Sequence, residues 1–154
     1  MASIFNADFR DFISAMNNNE VRYILVGGYS VILHGYPRTT GDIDLWVERT
    51  PENYLRIKSA FKEFGMPVFD MTEENFLYHQ VWDVFTFGTP PVAIDLMLKV
   101  EGLEFDNSYK NAVVFIEDNL SVRTIHKNDL ITAKEKIRRP KDLDDLENLK
   151  KAEG

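Results

Sequence analysis

The chain has 154 residues, 44% of them hydrophobic and 28% charged, with a formal net charge of −7 and no cysteine. That length suits one ordinary domain, residues 1–154, and is too short for two good cores; the apolar fraction excludes disorder. The missing cysteines exclude disulfides, thiolate nucleophiles and Cys-based zinc sites, and the acidic balance argues against broad duplex binding, which sets Lys and Arg against phosphate. The longest apolar stretch, Val21 to Leu33, is broken by Arg22, Gly27 and Gly28. No membrane span is expected, and without a charged-then-apolar opening segment a cytoplasmic location is expected.

Phe5, Phe9, Phe12, Ile13 and Met16 recur at helical spacing, so residues 6 to 17 read as an amphipathic helix, ended by Asn17, Asn18 and Asn19. Val21 to Val26 reads as a strand, Gly27-Gly28 as a tight turn out of it, and Tyr29 to His34 as a short helix stopped by Gly35 and Pro37. Asp42 to Val47 is a second strand. Thr50 and Pro51 have the character of an N-cap and a first-turn proline, and the helix they open runs to Phe64, where Gly65 closes it. Pro67 to Met71 suggests a short strand, and Glu73 to Tyr78 a turn or short helix. Val81 to Phe87 alternates, and Val92 to Val100 is the next strand. Ala112 to Ile116 and Leu120 to Ile125 form a hairpin around Glu117-Asp118-Asn119. A helical tail follows at 127 to 150: Lys127 to Arg138, an interruption at Pro140, then Leu143 to Lys150, where Leu143, Leu146 and Leu149 read as core packing. This order predicts an α+β fold with a mixed β-sheet flanked by helices.

The chemistry concentrates in three places. A strand ending in Gly27-Gly28 lets backbone approach a ligand, and a helix starting there points free N–H groups at the same spot, an arrangement suited to phosphate. Ser30 offers a hydroxyl within that first turn. After Gly28 and thirteen intervening residues come Asp42-Ile43-Asp44-Leu45, where alternation puts both carboxylates on one face and Ile43 and Leu45 on the other. Asp95, inside Val92 to Leu98, supplies a third acid amid apolar neighbours, which is costly unless it is partnered. Carboxylates are hard oxygen donors suited to Mg2+. Asp83 competes for the third place, but Ile94-Asp95-Leu96 is the more buried context. Either element alone has a plainer explanation, a turn for the glycines and a solvated strand face for the aspartates; their order and spacing favour a site for a nucleoside triphosphate with Mg2+.

Gly27, Gly28, Asp42, Asp44 and Asp95 resemble the motif of the polymerase-beta-type nucleotidyltransferase superfamily. The run from Gly27 to Leu45 is most similar to its small stand-alone prokaryotic members, the minimal nucleotidyltransferases and the abortive-infection toxin type. The tail is similar too, through Asp129 to Lys134 and Arg138 to Leu146. The resemblance implies a nucleotidyltransferase fold and transfer of a nucleoside monophosphate from an NTP, such as ATP, to a hydroxyl by a two-metal mechanism. Asp42, Asp44 and Asp95 would be catalytic and hold two Mg2+ ions, with Mn2+ as a substitute. Gly27, Gly28 and Ser30 would hold the phosphates. The position of Gly28 is often Ser in the superfamily, so any hydroxyl role passes to Ser30.

Arg38 either contacts phosphate or braces its loop, and Lys134 either reaches the triphosphate or is solvated. Arg138 and Asp142, four apart, are expected to tie the last two helices together, and His34 to be packed or to brace a loop. His79 and His126 share no metal spacing with it, so no zinc site is expected. The acceptor is open between a protein side chain, a tRNA and a small molecule; the stretch Lys134 to Lys141, five basic residues among eight, keeps tRNA in play. The competing reading is a regulatory or antitoxin-type subunit that binds nucleotide without turnover and acts through a protein partner.

Overall fold

The computed structural model of the protein describes residues 5–79, 82–89 and 91–151. Its elements are α1 (Ala7–Asn18), β1 (Tyr23–Val26), α2 (Gly27–Leu33), β2 (Asp42–Val47), α3 (Pro51–Phe64), α4 (Glu73–Leu77), β3 (Val84–Phe87), β4 (Ala93–Met97), α5 (Phe105–Asn111), β5 (Val113–Glu117), β6 (Leu120–Thr124), α6 (Lys127–Ile137) and α7 (Pro140–Lys151). The strands form one sheet in the order β3-β4-β2-β1-β6-β5. β2 runs parallel to β4, and β1 parallel to β6; the other neighbours are antiparallel. This is the mixed, helix-flanked sheet expected of an α+β chain.

The local signals explain most boundaries. Asn6 caps α1 by accepting from the Phe9 N–H at 2.8 Å. Thr50 caps α3 with Pro51 in its first turn, and Gly65, at φ 89°, ends it in the left-handed conformation. The turn between β5 and β6 uses Asp118 and Asn119, both at positive φ, as a two-residue hairpin requires.

Alternation along the central strands builds two apolar layers. Ile43, Leu45, Tyr23, Leu25, Ile94 and Leu96 face a large cluster with Phe9, Phe12 and Ile13 of α1 and Tyr54, Ile57 and Phe61 of α3. Ile24, Val26 and Trp46 face a smaller cluster with Leu130 and Ala133 of α6 and Leu149 of α7. Asp42, Asp44 and Asp95 lie on the second face, because they alternate with residues of the first.

Several boundaries differ from the sequence reading. β1 starts at Tyr23 instead of Val21, because the Asn53 amide takes the Arg22 backbone. Its Oδ1 accepts from the Arg22 N–H at 2.8 Å, and its Nδ2 donates to the Arg22 carbonyl at 3.1 Å. α2 begins at Gly27 itself, with no separate turn. Pro67 to Met71 forms no strand: Phe69 takes a positive φ, and the Met71 N–H bonds back to the Val68 carbonyl. The next strand begins at Val84; Val81 lies outside the described residues. Pro140 opens α7 instead of interrupting the tail, a position where its missing N–H costs nothing. Leu146 and Leu149 are buried, but Leu143 is 43% exposed and is not core. Helix α5 is an element the sequence reading lacks. It packs through the Phe105–Tyr109 pair, stacked with centroids 5.5 Å apart, with Phe105 edge-on to Trp46.

Among the described residues, no helix is long and apolar enough to cross a membrane.

Candidate active site

One register row crosses the middle of the sheet. Val26 of β1 pairs with Asp44 of β2, Asp44 with Asp95 of β4, and Asp95 with Thr86 of β3. The two carboxylates are thus direct neighbours on parallel strands. The Thr86 hydroxyl donates to Asp95 Oδ1 at 2.8 Å and fixes that side chain. Asp42 sits two residues before Asp44 on the same face, exposed at the rim.

Crowding of these acids has a clear electrostatic signature. The Asp44 carboxyl is pushed up to about 7 by burial, then by the charge of Asp95, a hydrogen bond with Asp95 and the charge of Asp42; Lys141 acts against these. A buried carboxyl crowded by two neighbouring acids is short of positive charge.

Gly27 and Gly28 meet the acids at the end of β1. Gly27 adopts φ 71°, and a Cβ there would collide with the Asp44 carboxylate, so only glycine lets that acid lie against the backbone. Gly28 is crowded from the other side, where Thr40 and the Arg38 guanidinium close over it. These residues border an open cleft of ≈ 550 Å³. Its walls carry Gly27, Gly28, Asp42 and Asp44, the loop from Arg38 to Gly41, and the cations Lys134, Arg139 and Lys141.

The cationic wall is built on α7. Arg38 donates to Asp145 Oδ2 at 2.6 Å, and Lys134 bridges Asp145 at 2.8 Å and Asp142 at 3.4 Å. Arg139 bonds Asp142 through its Nε at 2.7 Å and its backbone N–H at 3.0 Å. Burial alone would raise the Asp142 carboxyl, but the Arg139 bonds and the Lys134 charge outweigh it and hold it below the ordinary range. Three cations on two acids leave the cluster with a formal surplus of one positive charge facing the cleft.

The cleft gathers Gly27, Gly28, Arg38, Asp42, Asp44 and Lys134. Asp95 stands behind Asp44 in the register row and does not line the cleft. Ser30 is fully buried, and its hydroxyl donates to the Gly27 carbonyl at 2.6 Å. Arg38 both borders the cleft and braces its loop. Lys134 is 7% exposed, so its solvated reading is corrected: it is buried in ion pairs. The helix tie is also corrected, since Asp142 pairs with Arg139, not Arg138, which ends α6 at φ 55°. His34 braces as expected, its Nε2 lying 2.7 Å from the Ile125 carbonyl. Sequence reasoning missed Thr40 and the placement of Arg139 and Lys141. The Arg139-Pro140-Lys141-Asp142 run was the only pointer to the last two.

The donor set is of the kind a hard divalent cation takes: crowded carboxylates that raise one another's cost of ionisation. Among the described residues, no group of three or more His, Cys, Asp or Glu could hold a metal ion as it stands. Asp44 and Asp95 meet, and Asp42 remains at the rim.

A mixed sheet with paired aspartates beside a glycine-rich helix start defines a nucleotidyltransferase type of protein. The model of the family described as nucleotidyltransferase of unknown function (DUF6036) matches residues 7–151, and the chain belongs to that family. No curated protein matches the chain. Among solved structures, the chain is similar to a "putative nucleotidyltransferase" from Thermotoga maritima, at 16% identity and a TM-score of 0.57, over 91% of this chain and 88% of that one. At that identity the likeness concerns the fold.

Proposed function

We propose that the cleft binds a nucleoside triphosphate with Mg2+ and transfers its nucleoside monophosphate to a hydroxyl acceptor. The observation that carries this reading is the placement of Asp44 and Asp95 side by side, with Gly27-Gly28 and the α7-anchored cations lining the cleft that Asp44 borders. Asp42, Asp44 and Asp95 are the residues that would hold the metal. Bound Mg2+ would offset the carboxylate charge and stabilise the attacking and leaving oxygens of a displacement at the α-phosphorus.

The chain's own groups divide the remaining work. The first N–H groups of α2 and the cations Arg38, Lys134, Arg139 and Lys141 receive the phosphates and hold the pyrophosphate end as negative charge gathers there. Asp95, oriented by Thr86 on the β4 side of Asp44 and outside the cleft lining, accepts the proton of an acceptor hydroxyl that approaches from that side. The acceptor oxygen forms its bond to the α-phosphorus, the bond to the bridging oxygen breaks, and pyrophosphate leaves.

The test is titration of the full chain with Mg2+ and each of the four ribonucleoside triphosphates, with binding followed by calorimetry and turnover by pyrophosphate release. Binding in the wild type that is lost with the Arg139→Ala change, and turnover that is lost in Asp44→Asn and Asp95→Asn, is the expected result. Full turnover in either aspartate variant would sink the assignment. Tight binding without pyrophosphate release, with proteins and tRNA supplied as acceptors, would instead mark a binding subunit.

A further inference from the structure

We infer that Thr40 is the residue whose side-chain hydroxyl contacts the phosphate chain; this rests on the triphosphate reading of the cleft. Two hydroxyls stand near the Gly27-Gly28 backbone. Ser30 is excluded by its surroundings, being wholly buried and bonded to the Gly27 carbonyl at 2.6 Å. Thr40 is different. Its Oγ1 occupies the space a side chain at position 28 would need: a Cβ on Gly28 would lie 2.6 Å from Thr40 Oγ1 and 2.8 Å from Thr40 Cβ. The hydroxyl therefore lies directly over the backbone at the start of α2 and borders the same cleft.

Its only bond among the described residues is a long one, 3.4 Å to the Asp42 carbonyl, so the proton is available to a stronger acceptor. The Arg38 guanidinium carbon lies 3.4 Å from the same Gly28 Cβ position, held there through Asp145. Thr40 and Arg38 thus bring a hydroxyl and a cation to one point over the backbone N–H groups of α2. A phosphate oxygen takes such a set of donors, and a neutral base or sugar does not need the cation. The absence of a side chain at position 28 and the presence of a hydroxyl at position 40 are, on this geometry, one arrangement.

The experiment is a reciprocal exchange, read as the dissociation constant of the full chain for Mg2+-tripolyphosphate and for a Mg2+-bound non-hydrolysable triphosphate. Thr40→Ser should bind within about twofold of wild type. Thr40→Val, which keeps the shape and removes the donor, should bind both probes roughly tenfold or more weakly, as expected for a lost hydrogen bond to a charged group. Thr40→Ala repeats the measurement should valine disturb the loop. Gly28→Ser alone should bind poorly, because its Cβ meets Thr40. Gly28→Ser combined with Thr40→Gly, which removes both the Oγ1 and the Cβ it would meet, should regain most of the affinity, with the hydroxyl now arriving from position 28. Thr40→Val and Thr40→Ala binding as tightly as wild type would overturn the role of Thr40 while leaving the cleft's function standing. Failure of the wild type to bind either probe would overturn both.

Discussion

The two faces of the sheet are built from the same strands and do opposite things. On one face Ile43, Leu45, Ile94 and Leu96 join Phe9, Phe12, Ile57 and Phe61 in a cluster of apolar and aromatic side chains that holds no charged group. On the other, Trp46 begins an apolar patch that gives way within two residues to Asp44 and then Asp42, and the helices covering it bring Lys134, Asp142 and Asp145 into burial. The period of a strand makes this division possible: one residue sustains the core and the next serves the cleft. The first face stabilises the fold, and the second gives up some stability to hold charges together.

The sharpest break in that comparison should come from the acids. Asp44→Asn or Asp95→Asn should lower Mg2+-dependent pyrophosphate release by on the order of 100-fold or more, while circular dichroism shows an intact fold. On the opposite face, Phe61→Ala should cost about 3–5 kcal/mol in denaturant unfolding, since Phe61 is 1% exposed and its ring packs against Phe12 and Phe87. Asp145→Ala should cost about 3 kcal/mol, because it leaves Arg38 and the buried Lys134 short of a counter-charge; phosphate binding should weaken with it.

A smaller effect should appear as pH dependence. Because the folded-state Asp44 pKa is raised to about 7, the metal-free folded protein binds the more protons. Its contribution is full below the ordinary carboxylate range and is lost as pH rises toward and through 7. Asp44→Asn should flatten that slope and raise stability at pH 8 by on the order of 2 kcal/mol, measured by urea unfolding between pH 5 and pH 8. Leu143→Ala should change stability by less than about 0.5 kcal/mol, which separates it from its buried neighbours Leu146 and Leu149.

What could be read in the sequence was what local rules determine. Asp42 to Val47 alternates cleanly and is a strand over that span, and Thr50, Pro51 and Gly65 carry enough capping chemistry to bound α3 at both ends. The spacing of Gly27, Gly28, Asp42 and Asp44 was enough to place glycines and acids at one cleft. What stayed hidden depends on contacts distant in sequence. Val21 and Arg22 look like strand until Asn53, 31 residues after Arg22, takes the Arg22 backbone bonds. Ser30 looks like a ligand donor until its carbonyl partner is seen, and Thr40 looks like loop until it is found above Gly28. Lys134 passes for a surface lysine because nothing local reveals the two acids of α7 beneath it. No rule of helical or strand period brings residues 38, 134 and 139 to one wall.

The fastening of that wall has a consequence for ionic strength. Dissolved ions screen exposed charges over about 8–10 Å near physiological salt, but reach buried pairs far less. Asp142 and Asp145 are nearly inaccessible, their side chains 1% and 6% exposed, whereas Arg139, at 52%, and Arg38, at 26%, still meet solvent. Added salt will compete for the outward faces of these cations without loosening their anchors. The wall is therefore dressed by the solution but positioned by the protein, and a salt titration can weaken its pull on an anion while its geometry stays in place.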